Sequence, residues 1–262
     1  MKRTRRNHLR HQLQHLVQHH PHTVAAGVVA LCSLPGVLLM ASAGLSLNGR
    51  LVLHAALAVL AVLLLTACGW WSEVGLIGRS RWRNFHLAAL PLAAMAMLYP
   101  GASQVTAVQF LPWGMLALLF ALEREVWFRG ILFRALVPTY GPRRTVALTA
   151  VLFGLTQGAD LLAGAAPGVT LVKTLASVFF GYVLGALRLR TRSIWPGILV
   201  VTLFYVTAFL ERLQASGEFL PPSPDRMSLR VFLSLVVFFC ARFWMRKADE
   251  KHGHEAETVR AS

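Results

Sequence analysis

Long apolar blocks alternate with short basic segments along the whole chain. A helix that spans a membrane needs about 20 mostly apolar residues. Eight blocks meet that pattern, at roughly 23–47, 51–71, 86–102, 105–122, 145–163, 168–187, 193–210 and 228–245. The third is the weakest of them, and the fourth reads as continuing in one helix to about Val137. Several are interrupted by Pro or Gly, which membrane helices tolerate when neighbours re-satisfy the backbone. The pattern predicts an all-α polytopic membrane bundle of about eight transmembrane helices.

Composition agrees with the pattern. Of 262 residues 56% are hydrophobic and only 14% charged, against about 25% charged in a soluble domain. The formal net charge of +15 would suit a nucleic-acid binder, but the basic residues lie in clusters between apolar runs, as topology signals do. We therefore expect no nucleic-acid partner. With the N-terminus inside, almost all of the 26 Lys and Arg fall in inside segments; Arg50, Arg212, Arg226 and Arg230 fall outside and Lys173 within a span. That asymmetry predicts a multi-pass protein of the cell (inner) membrane with both termini cytoplasmic. The first apolar run is long enough to span, so it reads as a signal anchor and not as a cleavable signal peptide. Cys32, Cys68 and Cys240 lie inside apolar runs and suggest neither a disulfide framework nor a thiolate metal site.

The chain divides into a basic, His-rich cytoplasmic segment at 1–22, N-terminal transmembrane helices at 23–104, a core bundle at 105–210, an external loop at 211–227, and a last helix with a cytoplasmic tail at 228–262. Leu9, Leu13 and Leu16 give the first segment an amphipathic pattern suited to a surface of anionic lipid. His11, His15 and His19 repeat every four residues, the spacing of a zinc site, but the lipid-surface reading is preferred. The tail after Arg246 reads as solvated and poorly ordered. Trp70, Trp71 and Trp82, near span ends, read as interfacial anchors. Lys173 is expected to snorkel or to pair with Asp160.

The stretch LEREVWFRGILFR, residues 122–134, places five charges in an apolar setting. Glu125 and Arg129 are spaced i,i+4, acid before base, and face one side of a helix. An unpaired charge at mid-bilayer costs about 2.5–3.5 kcal/mol on insertion scales, so a pair facing the bundle is expected.

Together, REVWFRG (124–130), FGLTQ (153–157) and SIWPGILVVTLFY (193–205) resemble the CPBP intramembrane proteases, the CAAX-processing, abortive-infection and bacteriocin self-immunity group. The resemblance covers about 122–205. Small residues such as Gly181 and Gly185 fit that framework. The family pattern is Glu-Glu-x-x-x-Arg-Gly, then Phe-x-x-x-His, then His-x-x-x-Asn. Here the first Glu corresponds to Arg124, while Glu125, Arg129 and Gly130 are kept; the first His corresponds to Gln157, the second to Val201 and the Asn to Tyr205. The resemblance implies an endopeptidase in which Glu and His polarise a water while His and Asn stabilise an oxyanion. A guanidinium stays protonated and an aliphatic side chain has no polar atom, so Arg124 and Val201 cannot supply those roles. No catalytic set is intact. Whether the chain is an enzyme stays open.

Glu123 is the candidate displaced base, though about 100° around a straight helix from the family direction; Glu125 is the other. Spacing predicts that the three motifs meet in an inward-facing cavity lined by Arg124, Gln157 and Tyr205. The preferred reading is a catalytically impaired relative that binds membrane lipid, a membrane-associated or prenylated peptide, or a partner membrane protein. The alternatives are an active CAAX-type endopeptidase and, third, a small transporter, which would show repeat symmetry the chain lacks. No cofactor and no metal are expected.

Overall fold

The computed structural model describes residues 12, 15, 19–41, 46–78, 80–98, 106–162, 164–216 and 224–261. Its elements are α1 (Pro21–Ala41), α2 (Leu47–Cys68), a 3-10 helix (Trp82–Ala88), α3 (Ala89–Met97), α4 (Ala107–Glu125), a π-helix (Val126–Leu132), α5 (Phe133–Leu155), a 3-10 turn (Thr156–Gly158) with one further turn (Ala159–Leu162), α6 (Pro167–Thr191), α7 (Trp195–Ser216) and α8 (Pro224–Ala261). Four stretches are long and apolar enough to cross a membrane: Leu47–Cys68, Phe110–Leu162, Pro167–Thr191 and Ser228–Arg246. Among the described residues the fold is an all-α membrane bundle.

The 53-residue stretch Phe110–Leu162 is two legs, not one. Gly141 at φ 71°, ψ 164° leaves helical geometry and turns the chain back, with Pro142 following. A left-handed φ costs glycine nothing, so the corner falls there. The first leg therefore runs α4–π–α5 to Tyr140, close to the expected end at Val137. The returning leg packs along α6 through small residues. A Cβ on Gly154 would stand 2.4 Å from Val178 Cγ2, one on Gly181 3.1 Å from Ala150 Cα, and one on Gly185 3.0 Å from Val146 Cγ1. Where lipid tails are as apolar as Leu, such close backbone approach is what joins helices.

At one end of the bundle, Gly69 (φ 70°) caps α2 and residues 70–78 fold under the helices. Ser193 Oγ donates to Gly75 O at 3.0 Å, Trp195 Nε1 to Leu76 O at 3.0 Å, and Asn84 Nδ2 to Arg190 O at 2.7 Å. Gly75 (φ +76°) admits no larger residue, since its Cβ would meet Arg192 O at 2.3 Å. Glu73 pairs with Arg134 at 2.6 Å and its carbonyl accepts from Arg188 Nη2 at 2.5 Å. This is the arginine-rich end, carrying Arg134, Arg188, Arg190 and Arg192.

Three expectations change. Of the 86–102 span the described residues, 86–98, are the end of a 3-10 helix and the nine-residue α3, and 99–102 lie outside the described residues. At 1.5 Å per residue α3 covers about 14 Å, half of a roughly 30 Å hydrocarbon core. Trp70 is 1% exposed and belongs to the core, so it is no interfacial anchor. The tail continues α8 as helix to Ala261, consistent with its Ala, Glu, Lys and Arg content. Of the N-terminal segment, Leu9, His11, Leu13 and Leu16 lie outside the described residues; His15 and His19 stack with ring centroids 3.9 Å apart. Residues 217–223 of the external loop also lie outside them.

Replacing Gly154 with Val overpacks the α5–α6 seam. We expect a loss of about 1–3 kcal/mol, read as a lower midpoint of thermal unfolding in detergent, with Gly158→Val, where the added Cβ meets nothing within 4 Å, as the tolerated control.

Candidate functional site

The last turn of α4 ends in three successive charges, Glu123, Arg124 and Glu125, each 5% exposed or less. Consecutive helical residues point about 100° apart, so each must find its partner on a different neighbour. Glu123 turns to α2, where its Oε2 lies 2.5 Å from His54 Nδ1. Arg124 turns to α1 and the 3-10 turn, donating to Cys32 O at 2.7 Å and to Thr156 Oγ1 at 2.9 Å. Its Nε stands 4.0 Å from Glu123 Oε1. Glu125 turns to α7 and packs against Gly197, whose missing side chain makes the room: a Cβ there would come within 2.3 Å of Glu125 Oε2.

Arg129, fully buried, completes the group. Its Nη1 lies 3.3 Å from Glu125 Oε1, and its Nη2 donates to Gly181 O of α6 at 2.9 Å. The guanidinium also sits 4.5 Å from the centre of the Phe153 ring. The expected Glu125–Arg129 pair therefore forms, and it ties the π-helix to α6 and to the second motif at Phe153.

The remaining motif positions divide. Gln157 and Tyr205 line one cavity of about 180 Å³ between α5, α6, α7 and α8, with Lys173, Ser177, Phe180 and Arg230 also in its wall. Val201 is fully buried in the apolar core. The expected cavity thus exists around Gln157 and Tyr205, but two features differ. Arg124 is not in its wall, because its guanidinium is spent on Cys32 and Thr156. And Lys173 and Arg230 in its wall place it nearer the start of α6 than the arginine-rich end at Arg188 and Arg190. Lys173 there pairs with Asp160 at 3.0 Å, one of its two expected fates.

A ring separates the cavity from the buried acid. Phe120, one turn before Arg124, has its centroid 4.7 Å from that of His54 and 4.1 Å from that of Tyr205. Arg124 stacks on the same ring at 4.8 Å. Phe120 and Arg124 therefore stand between Tyr205, on the cavity side, and the Glu123–His54 pair.

His54 is the functional-type residue that sequence reasoning missed. It sits in the apolar block LVLHAALAVLAVLLL (51–65), 69 positions before its partner. The signal was available: an ionisable group inside a spanning helix is a site by default and needs a named partner. The helix-phase argument against Glu123 also changes. The wide turns of the π-helix at 126–132 carry fewer degrees per residue than α turns. Relative to Arg129 and Gly130, Glu123 is swung back towards the direction that a straight helix gives to residue 124. π segments of this kind are frequent at functional sites.

Residues 105–207 match the family model described as type II CAAX prenyl endopeptidase Rce1-like. No curated protein matches the chain.

Arg129→Ala strands the buried Glu125 carboxylate, and we expect a cost of about 3–5 kcal/mol. The paired change Glu125→Gln/Arg129→Met removes both charges and should cost clearly less than Arg129→Ala alone. Unfolding of the variants in detergent, set out as a double-mutant cycle, gives the coupling directly.

Proposed function

We propose that this membrane protein, which belongs over residues 105–207 to the CPBP/CAAX intramembrane protease family, works as a binding member of that family. It is then a multi-pass protein of the cell (inner) membrane with both termini cytoplasmic, holding a membrane-resident lipid, peptide or partner protein without cleaving it at the family's motif positions. The observation that carries this reading is the engagement of Arg124. At the position of the water-activating Glu stands a guanidinium that cannot accept a proton, anchored to Cys32 O and Thr156 Oγ1. Gln157 can hydrogen-bond but not shuttle a proton, and Val201 offers no donor to an oxyanion. Loss of one such donor alone costs about 2.7–4 kcal/mol of transition-state stabilisation. The cavity beside these positions keeps the walls of a binding site: aromatic rings with a few polar groups.

One observation favours a second reading, an active endopeptidase with a displaced base. Glu123 and His54 are within hydrogen-bond reach, and a carboxylate oriented by an imidazole is a competent base where water can reach it.

A single experiment separates the two. The purified chain in detergent is offered prenylated and unprenylated hydrophobic peptides, and both turnover and retention are measured. The binding reading expects retention with no cleavage, unchanged in Glu123→Gln. Cleavage by the wild type that disappears in both Glu123→Gln and His54→Asn would replace it with the displaced-base reading.

A further inference from the structure

We infer that Glu123 and His54 form a water-holding site that the Phe120 ring, latched by Arg124, closes off from the cavity beside Tyr205; the chemistry of the site rests on the displaced-base reading.

The site is laid out along one helix face. Phe120, Glu123 and Arg124 stand at i, i+3 and i+4 on α4, so their side chains are neighbours. His54 reaches them from α2, and its Nδ1 holds Glu123 Oε2. The second carboxylate oxygen, Oε1, is buried and has no hydrogen-bond partner among the described residues. Arg124 Nε, 4.0 Å from it, is buried and has none either among those residues. Buried polar atoms are nearly always paired, so an orphaned acceptor beside an orphaned donor calls for a third group. One water at about 2.8 Å from each satisfies both, accepting from Nε and donating to Oε1. A carboxylate oriented by an imidazole through one oxygen and bonded to water through the other is arranged as a general base.

The closure is a single ring. Phe120 lies against His54 on one side and Tyr205 on the other, with centroids 4.7 and 4.1 Å away. Arg124 stacks on it at 4.8 Å and is itself fixed to Cys32 O and Thr156 Oγ1. A desolvated cation on an aromatic face is a favourable contact, and here it holds the ring in the closed pose. Phe120 is only partly buried, whereas His54, Glu123 and Arg124 are buried. Turning the ring into its open side joins the pair to the cavity. Gln157 and Tyr205 line that cavity and carry N–H and O–H groups that can meet an oxyanion. With the ring aside, Glu123 takes a proton from the water and the hydroxide oxygen bonds to the carbonyl carbon of a peptide group in the cavity. The C–N bond then breaks, and the proton passes from Glu123 to the departing nitrogen. With the ring in place, the water at Glu123 and a guest beside Tyr205 do not meet, and the chain binds without cutting.

The test uses the whole chain in detergent. Diethyl pyrocarbonate, which modifies accessible imidazoles, is followed residue by residue with mass spectrometry, and exposed His86 serves as the internal standard. In the wild type we expect His54 to stay protected while His86 reacts. Phe120→Ala should remove that protection. Phe120→Leu, closer in volume, should remove part of it and serves if the alanine variant does not fold. Leu118→Ala, on the exposed side of the same helix, should leave His54 protected. Prenylated hydrophobic peptides are then offered to each variant. Phe120→Ala should cleave them about 100-fold or more faster than the wild type, the low end of what a positioned base contributes. Glu123→Gln or His54→Asn in that background should abolish the gain, which a merely structural role for Phe120 would not produce. His54 as reactive as His86 in the wild type, or protected in both Phe120 variants, would overturn the closure. Exposure of His54 without cleavage would leave the closure standing and sink the displaced-base reading. Wild-type cleavage lost in Glu123→Gln, with His54 freely labelled, would keep that reading and sink the closure.

Discussion

Everything at the centre of this bundle follows from burying three charges in a row. Glu123, Arg124 and Glu125 end α4 at a depth where an unpaired charge is costly, and each is out of contact with solvent. Because a helix fans neighbours apart by about 100°, no single partner helix can serve all three. The result is a hub. His54 arrives from α2, Cys32 O from α1, Thr156 from the turn after α5, and the Arg129 pair reaches Gly181 on α6 while Glu125 fills the space above Gly197 on α7. Breaking one of these contacts leaves a charge in an apolar medium, so the hub fixes how five elements sit around α4. Polar satisfaction and not apolar contact sets this arrangement, since apolar contact with lipid is nearly as good as apolar contact with protein.

The same hub decides what chemistry is open to the positions that resemble the family's motifs. A water-activating carboxylate needs an open face. Arg124 has none: it is held by two hydrogen bonds and by the Phe120 ring. The one carboxylate with an imidazole beside it, Glu123, faces the opposite way, into α2. Phe120 lies against both His54 and Tyr205, so the acid and the cavity share a wall without sharing a space. Phe120 and Arg124 lie between the Glu123–His54 pair and the cavity beside Tyr205.

Much of this was legible in the sequence, for physical reasons. Helix-length apolar blocks, basic clusters and the i,i+4 acid–base pair are local patterns. Local patterns gave α2, α6, α7 and the Glu125–Arg129 pair. The motif spacing also brought Gln157 and Tyr205 to one cavity. What failed depended on information that is not local. The 86–102 block has the hydropathy of a span, but among its described residues only Ala89–Met97 form α-helix, and hydropathy does not encode that. Trp70 looks like an interfacial residue until the loop folds under the bundle and covers it. The phase of Glu123 was reckoned on a straight α-helix, and the π-helix beginning at Val126 changes the reckoning. His54 was passed over because its partner is 69 residues away and no motif links them.

The position of the cavity was the least readable feature. Spacing fixed the depth of Gln157 and Tyr205 but not which neighbours a void beside them would have. At the arginine-rich end the loop 70–78 is tied to the helices, with Ser193, Trp195 and Arg188 bonded to its backbone and Arg134 paired with its Glu73. The void lies further along α6 from that end, with Lys173 and Arg230 in its wall. Lys173 pairs with Asp160 and Arg230 stacks on Phe204. Each of these contacts joins residues from different elements, so no periodicity within one helix announces it.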